Sequence, residues 1–141
     1  PDALDKVCGT LRELADGRLH VVFGCGGDRD RTKRAPMTRA VLRHAHAAWL
    51  TSDNPRSEDP EAILGDMLNG VERGGCDVHR VVDREAAIRA AIAAAAPGDT
   101  VLIAGKGHET YQVLKDSVVP FDDRLTASRA LAAREAGWLH R

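Results

Sequence analysis

The 141-residue sequence has few aromatic residues, no long apolar run and no excess of either charge. Aromatic residues are 4% of the chain, so its core must be built from Ala, Val, Leu and Ile. Twenty Lys and Arg residues are balanced by 21 Asp and Glu residues, which argues against a strongly basic nucleic-acid-binding module. The longest apolar stretch, 90–96, is far shorter than the roughly 20 residues that cross a bilayer, so we expect no contact with membrane.

Cysteine is also scarce, and its pattern indicates a reducing compartment. Cys8, Cys25 and Cys76 are odd in number and have no CxxC spacing, which argues against a disulfide framework. The first residues contain no apolar segment typical of a signal peptide, so we expect a cytoplasmic location. Because the chain begins at Pro1 rather than Met, we expect a piece of a longer protein.

The chain has enough apolar residues, 43%, for one ordinary core, and we predict a single domain over 1–141. Strand and helix patterns alternate, which predicts βαβ units. The expected fold class is α/β: a Rossmann-like three-layer sandwich with a mostly parallel sheet and room for one antiparallel edge strand or hairpin. Predicted strands are 19–23, 47–51, 79–82 and 100–104 (the clearest buried strand), with a hairpin in 111–120. Predicted helices are 2–15, 37–46, one from Pro60 capped by Asp59, one capped by Asp83, and 122–135 with Leu125, Ser128, Leu131 and Ala132 on one face.

The chemically unusual residues follow predicted strands rather than helices. We name them the first loop (24–30), the second loop (53–56) and the third loop (105–109). In an open parallel sheet, ligands bind outside the carboxyl ends of the strands. The three loops are therefore expected to meet at one edge of the sheet.

The first loop combines glycines with basic residues. Its glycines would let backbone amides approach a carboxylate or phosphate, although a solvated basic turn fits equally well. Arg29 stands where the dinucleotide fingerprint has its third glycine, and no Walker Gly-Lys-Ser/Thr follows. Cys25 is more simply a small residue in a tight turn than a reactive thiol. The basic residues in this loop and directly after it are Arg29, Arg31, Lys33 and Arg34.

In the second loop, Pro55 favours an extended Asn54 and would hold Asn54 and Arg56 in a fixed relation. Arginine binds a carboxylate through two parallel N–H bonds, which lysine cannot copy. Taken alone, this loop more often indicates a stiff surface turn whose Asn and Arg cap neighbouring elements.

The third loop places two glycines, a cation, a histidine and an acid directly after a strand. Gly105 and Gly107 permit close backbone approach, and Glu109 would pair with an ammonium group. Lys106 is left open between a phosphate contact and a solvated position. For His108, a structural hydrogen bond is favoured over general-base catalysis.

The remaining candidates favour structural roles. Asp122 and Asp123 precede the last helix and are predicted to be caps. No spacing of histidine and cysteine matches a zinc framework, so we expect no metal site. The residues considered for metal are His44, His46, Cys76 and His79.

Together, the loops would form a crevice with guanidinium groups, an amide and a carboxylate. That set complements an amino acid carrying both carboxylate and ammonium, and disfavours a hydrophobic ligand. Two alternatives stay open. One is a nucleotide-binding module with Gly24 and Gly26 under a pyrophosphate and Asp53 on a ribose. The other is a non-catalytic interaction or regulatory domain.

Three motifs, in order along the chain, resemble the C-terminal domain of the Mur ligases. The Asp-Asn-Pro-Arg form of the second motif is associated with members that add meso-diaminopimelate rather than lysine. The resemblance covers essentially the whole chain. The motifs are FGCGGDRD at 23–30 with Lys33 and Arg34, TSDNPRSEDP at 51–60, and IAGKGHE at 103–109.

The resemblance implies a cytoplasmic, ATP- and Mg²⁺-dependent ligase that extends a UDP-N-acetylmuramoyl dipeptide in peptidoglycan synthesis. In that family an acyl phosphate forms on the D-glutamyl side chain and the amine of the amino acid attacks it. The UDP-binding and central ATPase domains are absent from this chain. We therefore expect it to fold, to be inactive alone, to carry no bound cofactor and to bind diaminopimelate weakly.

The same resemblance implies the diaminopimelate contacts. Arg56 would bind the carboxylate at the far stereocentre, and Glu109 the ammonium beside it. Lys33 and Arg34 are implied to face the nucleotide or the acyl phosphate. No catalytic residue or metal ligand is assigned to this chain. The implied contacts are Arg29, Asn54, Arg56, Gly105 and Glu109, with Asp53 and Pro55 as motif positions.

Overall fold

A computed structural model describes residues 2–72, 74–106 and 109–139, with only the backbone of 136–139. Within these ranges, no helix is both long and apolar enough to cross a membrane. The helices are α1 (Asp2–Leu14), α2 (Arg34–Leu42), α3 (Pro60–Leu68), α4 (Arg84–Ala94) and α5 (Asp123–Leu139), with a 3-10 turn at Arg31–Lys33. The strands are β1 (Leu19–Cys25), β2 (Ala47–Ser52), β3 (Asp77–Arg80), β4 (Thr100–Ile103), β5 (Tyr111–Val113) and β6 (Val118–Pro120).

The first four strands form a parallel sheet in the order β3-β2-β1-β4, and β5 and β6 form a separate antiparallel hairpin. The chain leaves β1 toward β2 on one side and returns to β4 on the other. This reversal of strand order beside β1 is where parallel α/β sheets bind ligands. The predicted α/β class, with a parallel sheet and a hairpin, is confirmed.

Alternate residues of the central strands supply two separate cores, because successive side chains of a strand point to opposite faces. Val21 and Phe23 pack with residues of α1, α2 and α3. Val22 and Trp49 pack with residues of α4 and α5 on the other face. The sheet is therefore the middle layer of three.

Three helices begin at the predicted aspartates. Asp59 and Asp83 each accept a hydrogen bond from a backbone N–H of the first turn. Asp122 Oδ1 accepts from Arg124 N at 2.9 Å. Each carboxylate satisfies an amide that has no partner within its helix.

Several element boundaries differ from the prediction. Helix α2 begins three residues early, with Pro36 in its first turn, where the missing N–H costs nothing. Strand β3 lies two residues before the predicted 79–82. Strand β4, predicted to be the clearest buried strand, is only partly buried, since it lies at the edge of the sheet.

The face of the last helix that carries the leucines is exposed rather than packed. Leu125 and Leu131 are each 49% exposed, whereas Thr126 and Ala130 are buried. Helix α5 packs on the alanine-rich α4, and small side chains allow that close approach. The spacing of the leucines therefore does not identify the packed face, which consists of small residues.

At the amino ends of the strands, a buried carboxylate joins the turn before β4 to β1. Asp99 accepts hydrogen bonds from Ala96 N, from His20 Nε2 and from Arg18 N, each at 2.9 Å. These bonds lower the pKa of Asp99 to about 2. The ionised carboxylate is thus part of the folded structure.

We expect Asp99→Asn to lower the free energy of unfolding by roughly 2 kcal/mol at neutral pH, since each unit of pKa depression contributes about 1.4 kcal/mol. The contribution is complete above the ordinary pKa of 3.8 and disappears as pH falls through about 2. Urea unfolding between about pH 4 and pH 2 should therefore show the difference from wild type shrinking. The exposed Asp116→Asn is the control, and a difference independent of pH would contradict the prediction.

Candidate functional site

The three loops meet at the carboxyl edge of the sheet, because β2, β1 and β4 are neighbours. Arg56 Nη1 donates to Gly27 O at 3.0 Å, which joins the second loop to the first. Asn54 Nδ2 donates to Glu109 Oε2 at 3.2 Å, which joins the second loop to the third. The exposed Arg29 side chain and the half-buried Arg56 guanidinium both lie beside Gly26 of the first loop. The expected convergence of the loops is therefore observed.

Asn54 is the link between the second and third loops. Its side chain is buried, with 4% of the residue exposed. Oδ1 accepts from Lys106 Nζ and from Val113 N, both at 3.0 Å, while Nδ2 donates to Glu109. Both ends of the amide are thus used inside the protein, which fixes the orientation of the Glu109 carboxylate.

Lys106 is buried, and neither of its two expected positions is observed. Its Nζ donates to Asn54 Oδ1 at 3.0 Å and to Tyr111 O at 2.9 Å. Asp53 Oδ1 lies 3.2 Å away and Glu109 Oε2 3.8 Å away, at ion-pair distances. The ammonium is therefore neither solvated nor free for a phosphate.

Two residues of the loops have left-handed backbone conformations that non-glycine residues seldom adopt. The φ angle is 51° at Arg56 and 55° at Asp28. Arg56 N donates to Val113 O at 3.1 Å, and the Asp28 carboxylate accepts from Ser57 N and Oγ. Bonds between separate segments thus hold a conformation that costs about 1 kcal/mol or more at each residue.

The Arg56 guanidinium lies half-buried between the first two loops. Nη1 donates to Gly27 O and, at 3.4 Å, to Asn54 O. These carbonyl partners position the guanidinium but carry no net charge, so they do not cancel its positive charge. That charge remains to attract an anion at this edge.

Arg34 is buried within the domain, in contrast to its expected position toward a phosphate. Its guanidinium donates to both oxygens of Glu58, to Asp66 Oδ2 at 2.9 Å and to Gly26 O at 3.1 Å. The hydrogen bond from Arg34 holds the pKa of Glu58 below its usual range. Arg34 therefore stabilises the first loop through its bond to Gly26 O. Of the two residues expected to face a phosphate, Lys33 is exposed and Arg34 is buried.

Arg84, which the sequence analysis missed, ties together the starts of the second and third loops. Its guanidinium binds both oxygens of Asp123, at 2.8 and 2.7 Å. It also donates to Ser52 O at 3.0 Å and to Ala104 O at 3.1 Å, at the ends of β2 and β4. Asp123 is thus an ion-pair partner rather than the predicted cap, a role that Asp122 fills.

The glycines of the first loop allow contact between chain segments rather than with an anion. A Cβ atom on Gly27 would lie 1.8 Å from Pro55 O, and Gly27 N already donates to Asn54 O at 2.8 Å. A Cβ atom on Gly24 would lie 2.6 Å from Thr51 O in the neighbouring strand. With Asp53 beside Lys106, these contacts disfavour the alternative of a pyrophosphate and ribose site.

The third loop turns sharply at Gly105, where φ is 116°, a value that favours glycine. Gly105 is exposed, and a Cβ atom there would lie 3.6 Å from Asp53 Oδ2. The predictions for Gly107 and His108 fall outside the described residues.

The candidate thiol and histidines have structural positions. Cys25 ends β1 rather than filling a turn, and burial raises the pKa of its thiol to about 11. His44 Nε2 pairs with Asp5 Oδ1 at 2.8 Å, and His46 Nδ1 accepts from Leu19 N at 2.9 Å. Among the residues that the structure describes, no cluster of three or more His, Cys, Asp or Glu could hold a metal ion.

We expect Gly27→Ala to lower the free energy of unfolding by about 1 to 3 kcal/mol, because the first and second loops must separate to admit the methyl group. Gly65→Ala in α3 is the matched control, since its Cβ would meet open space. It should raise stability by roughly 0.5 to 1 kcal/mol through helix propensity. Denaturant unfolding measures both changes, and equal effects would contradict the proposed contact.

Arg84→Ala should cost about 3 to 5 kcal/mol of unfolding free energy, because it leaves the Asp123 carboxylate buried without its cation. The exposed Arg89→Ala on the same helix is the control and should change stability by less than about 0.5 kcal/mol. Thermal and denaturant unfolding of both variants check this. A small loss for Arg84→Ala would show that Asp123 finds another partner.

Comparisons with known proteins give this arrangement a context. Residues 1–107 match the family model described as "Mur ligase, glutamate ligase domain". The UDP-N-acetylmuramoyl-L-alanyl-D-glutamate--2,6-diaminopimelate ligase of Geobacillus thermodenitrificans is 54% identical over 134 residues, 95% of this chain and 27% of that protein. The ligase of the same name from Streptomyces coelicolor is 56% identical over 136 residues, 92% of this chain and 26% of that protein.

The fold agrees with these relatives. A solved structure of a UDP-N-acetylmuramoyl-L-alanyl-D-glutamate--2,6-diaminopimelate ligase superposes with a TM-score of 0.91 and 47% identity. It matches 96% of this chain and 28% of its own length, so the chain spans about a quarter of the relatives it matches. By sequence and by structure, the chain belongs to the Mur ligase family, as its three motifs predicted.

Proposed function

We propose that the chain is the C-terminal, amino-acid-binding domain of a cytoplasmic ligase that adds meso-diaminopimelate to UDP-N-acetylmuramoyl-L-alanyl-D-glutamate in peptidoglycan precursor synthesis. One observation carries the proposal: Arg56, Asn54 and Glu109 meet at one edge of the sheet. The relatives named above, about half identical to this chain, support the choice of substrate.

The chemistry of the loops fits the end of diaminopimelate that does not react. That end carries a carboxylate and an ammonium on one carbon. The Arg56 guanidinium complements the carboxylate through parallel N–H bonds, and Glu109 complements the ammonium. The exposed Arg29 and Gly105 border the same edge and would complete the contacts.

Activation of the D-glutamyl carboxylate of the UDP-linked substrate would take place in the other domains of the ligase. Gly27 N is bonded to Asn54 O, and Lys106 Nζ to Asn54 Oδ1 and Tyr111 O, so neither donor is free to bind the phosphates of ATP. In the complete enzyme, ATP and Mg²⁺ would supply an acyl phosphate on the D-glutamyl side chain. This chain would hold diaminopimelate so that its free amine faces the acyl carbon, and the chain alone would not catalyse.

The same geometry accounts for discrimination against lysine. Lysine has an ammonium at its far end but no carboxylate beside it. Bound lysine would leave the Arg56 guanidinium without an anion after water has been excluded. An unpaired group of this kind costs about 1 to 3 kcal/mol, and more when it is charged.

The test uses the complete ligase carrying Arg56→Ala. We expect kcat/KM for meso-diaminopimelate to fall by about 100-fold, and its ratio to kcat/KM for lysine to fall with it, because a charge-assisted bond is lost. Arg89→Ala, exposed on α4, is the control variant. Unchanged use of diaminopimelate, with no relative gain for lysine, would contradict the role of Arg56.

A further inference from the structure

The third loop buries one ammonium group between two carboxylates. The Lys106 side chain is 0% exposed, whereas the side chains of Asp53 and Glu109 are 17% and 40% exposed. One positive and two negative formal charges leave this cluster with an excess negative charge. The more exposed carboxylate, Glu109, is the one that faces the edge where the loops meet.

Lys106 lies closer to one of its two carboxylate partners than to the other. Its two hydrogen bonds go to Asn54 Oδ1 and Tyr111 O, and the nearer carboxylate, Asp53, lies at 3.2 Å. Glu109 lies 3.8 Å away and takes its hydrogen bond from Asn54 instead. Lys106 therefore neutralises Asp53 closely, while it orients Glu109 mainly through the Asn54 amide.

Burial of an ammonium costs several kcal/mol unless it is paired and hydrogen-bonded. A lysine at this position is consequently held only because oxygen atoms surround it. Conversely, without this cation Asp53 and Glu109 would repel each other, and Asn54 Oδ1 would keep the backbone donor Val113 N but lose its charged donor.

We propose that Lys106 is a positioning residue that makes the ammonium subsite specific. It locks Asn54 and Glu109 in place and balances only one of the two carboxylates. The remaining negative charge is neutralised by an ammonium group of the incoming amino acid. This inference rests on the proposed function, and it assigns recognition of the far amino group to a lysine that does not itself touch that group.

The test compares two substrates in the complete ligase. One is meso-diaminopimelate, and the other is 2-aminopimelate, which has both carboxylates but lacks the far amine. In Lys106→Met, KM for diaminopimelate should rise by about 10- to 100-fold with a smaller change in kcat, since a charge-assisted contact is lost. KM for 2-aminopimelate should change little, so the preference for diaminopimelate disappears. Lys115→Met, exposed on the β5–β6 turn, is the control.

A second variant separates positioning from folding. Lys106→Met leaves the Asp53 carboxylate without its cation, and Asp53→Asn in the same chain removes that charge. The double variant should regain thermal stability but not the preference for diaminopimelate. A folded double variant with wild-type preference would overturn the proposal, as would an equal rise in KM for both substrates in either variant.

Measuring the use of both substrates by the wild-type enzyme distinguishes failure of the proposed function from failure of the ammonium subsite. If it does not use diaminopimelate, the proposed function fails. If it uses diaminopimelate but accepts 2-aminopimelate equally well, the function stands and the ammonium subsite is overturned.

Discussion

The hydrogen bond from the buried Lys106 ammonium to Asn54 Oδ1 is the contact on which the site depends. It joins a charged group of the third loop to the second loop. The Nδ2 atom of the same Asn54 amide donates to Glu109 and so orients its carboxylate. Because a buried ammonium is stable only among oxygen atoms, the contact between the second and third loops stabilises the folded chain. The contacts that stabilise this edge of the fold are thus the same ones that would position Glu109 in the proposed binding site.

Three buried cationic side chains, Arg34, Arg84 and Lys106, each stabilise different loops by hydrogen bonds. Arg34 holds the first loop through Gly26 O, and Arg84 holds the starts of the other two through Ser52 O and Ala104 O. Lys106 then joins the second and third loops directly. The positive groups that remain exposed, such as Arg29, are left for contacts at the surface. Basic residues that look alike in the sequence therefore have two different roles: the buried ones stabilise the loops, and the exposed ones remain available at the surface.

The sequence predicted the central strands, three of the four aspartate caps and the convergence of the loops, because apolar periodicity and strand-end chemistry are local signals. It could not predict the burial of Arg34 or Lys106, because Glu58 lies 24 residues from Arg34 and Asn54 lies 52 residues from Lys106. Such residues resemble solvated surface charges until the fold supplies their carboxylates. The packed face of α5 was missed for a related reason: tertiary contact with α4 selected small residues over leucines.

The hydrogen bonds from Arg84 to Ser52 O and Ala104 O reduce the entropic cost of ordering the loops when a ligand binds. One guanidinium fixes the carbonyl groups at the ends of β2 and β4, on either side of β1, so the span between the second and third loops is set before any ligand arrives. The ordering entropy of these segments is lost during folding rather than during association. The amino acid that we propose as ligand would therefore meet charged groups whose spacing is already fixed by the fold.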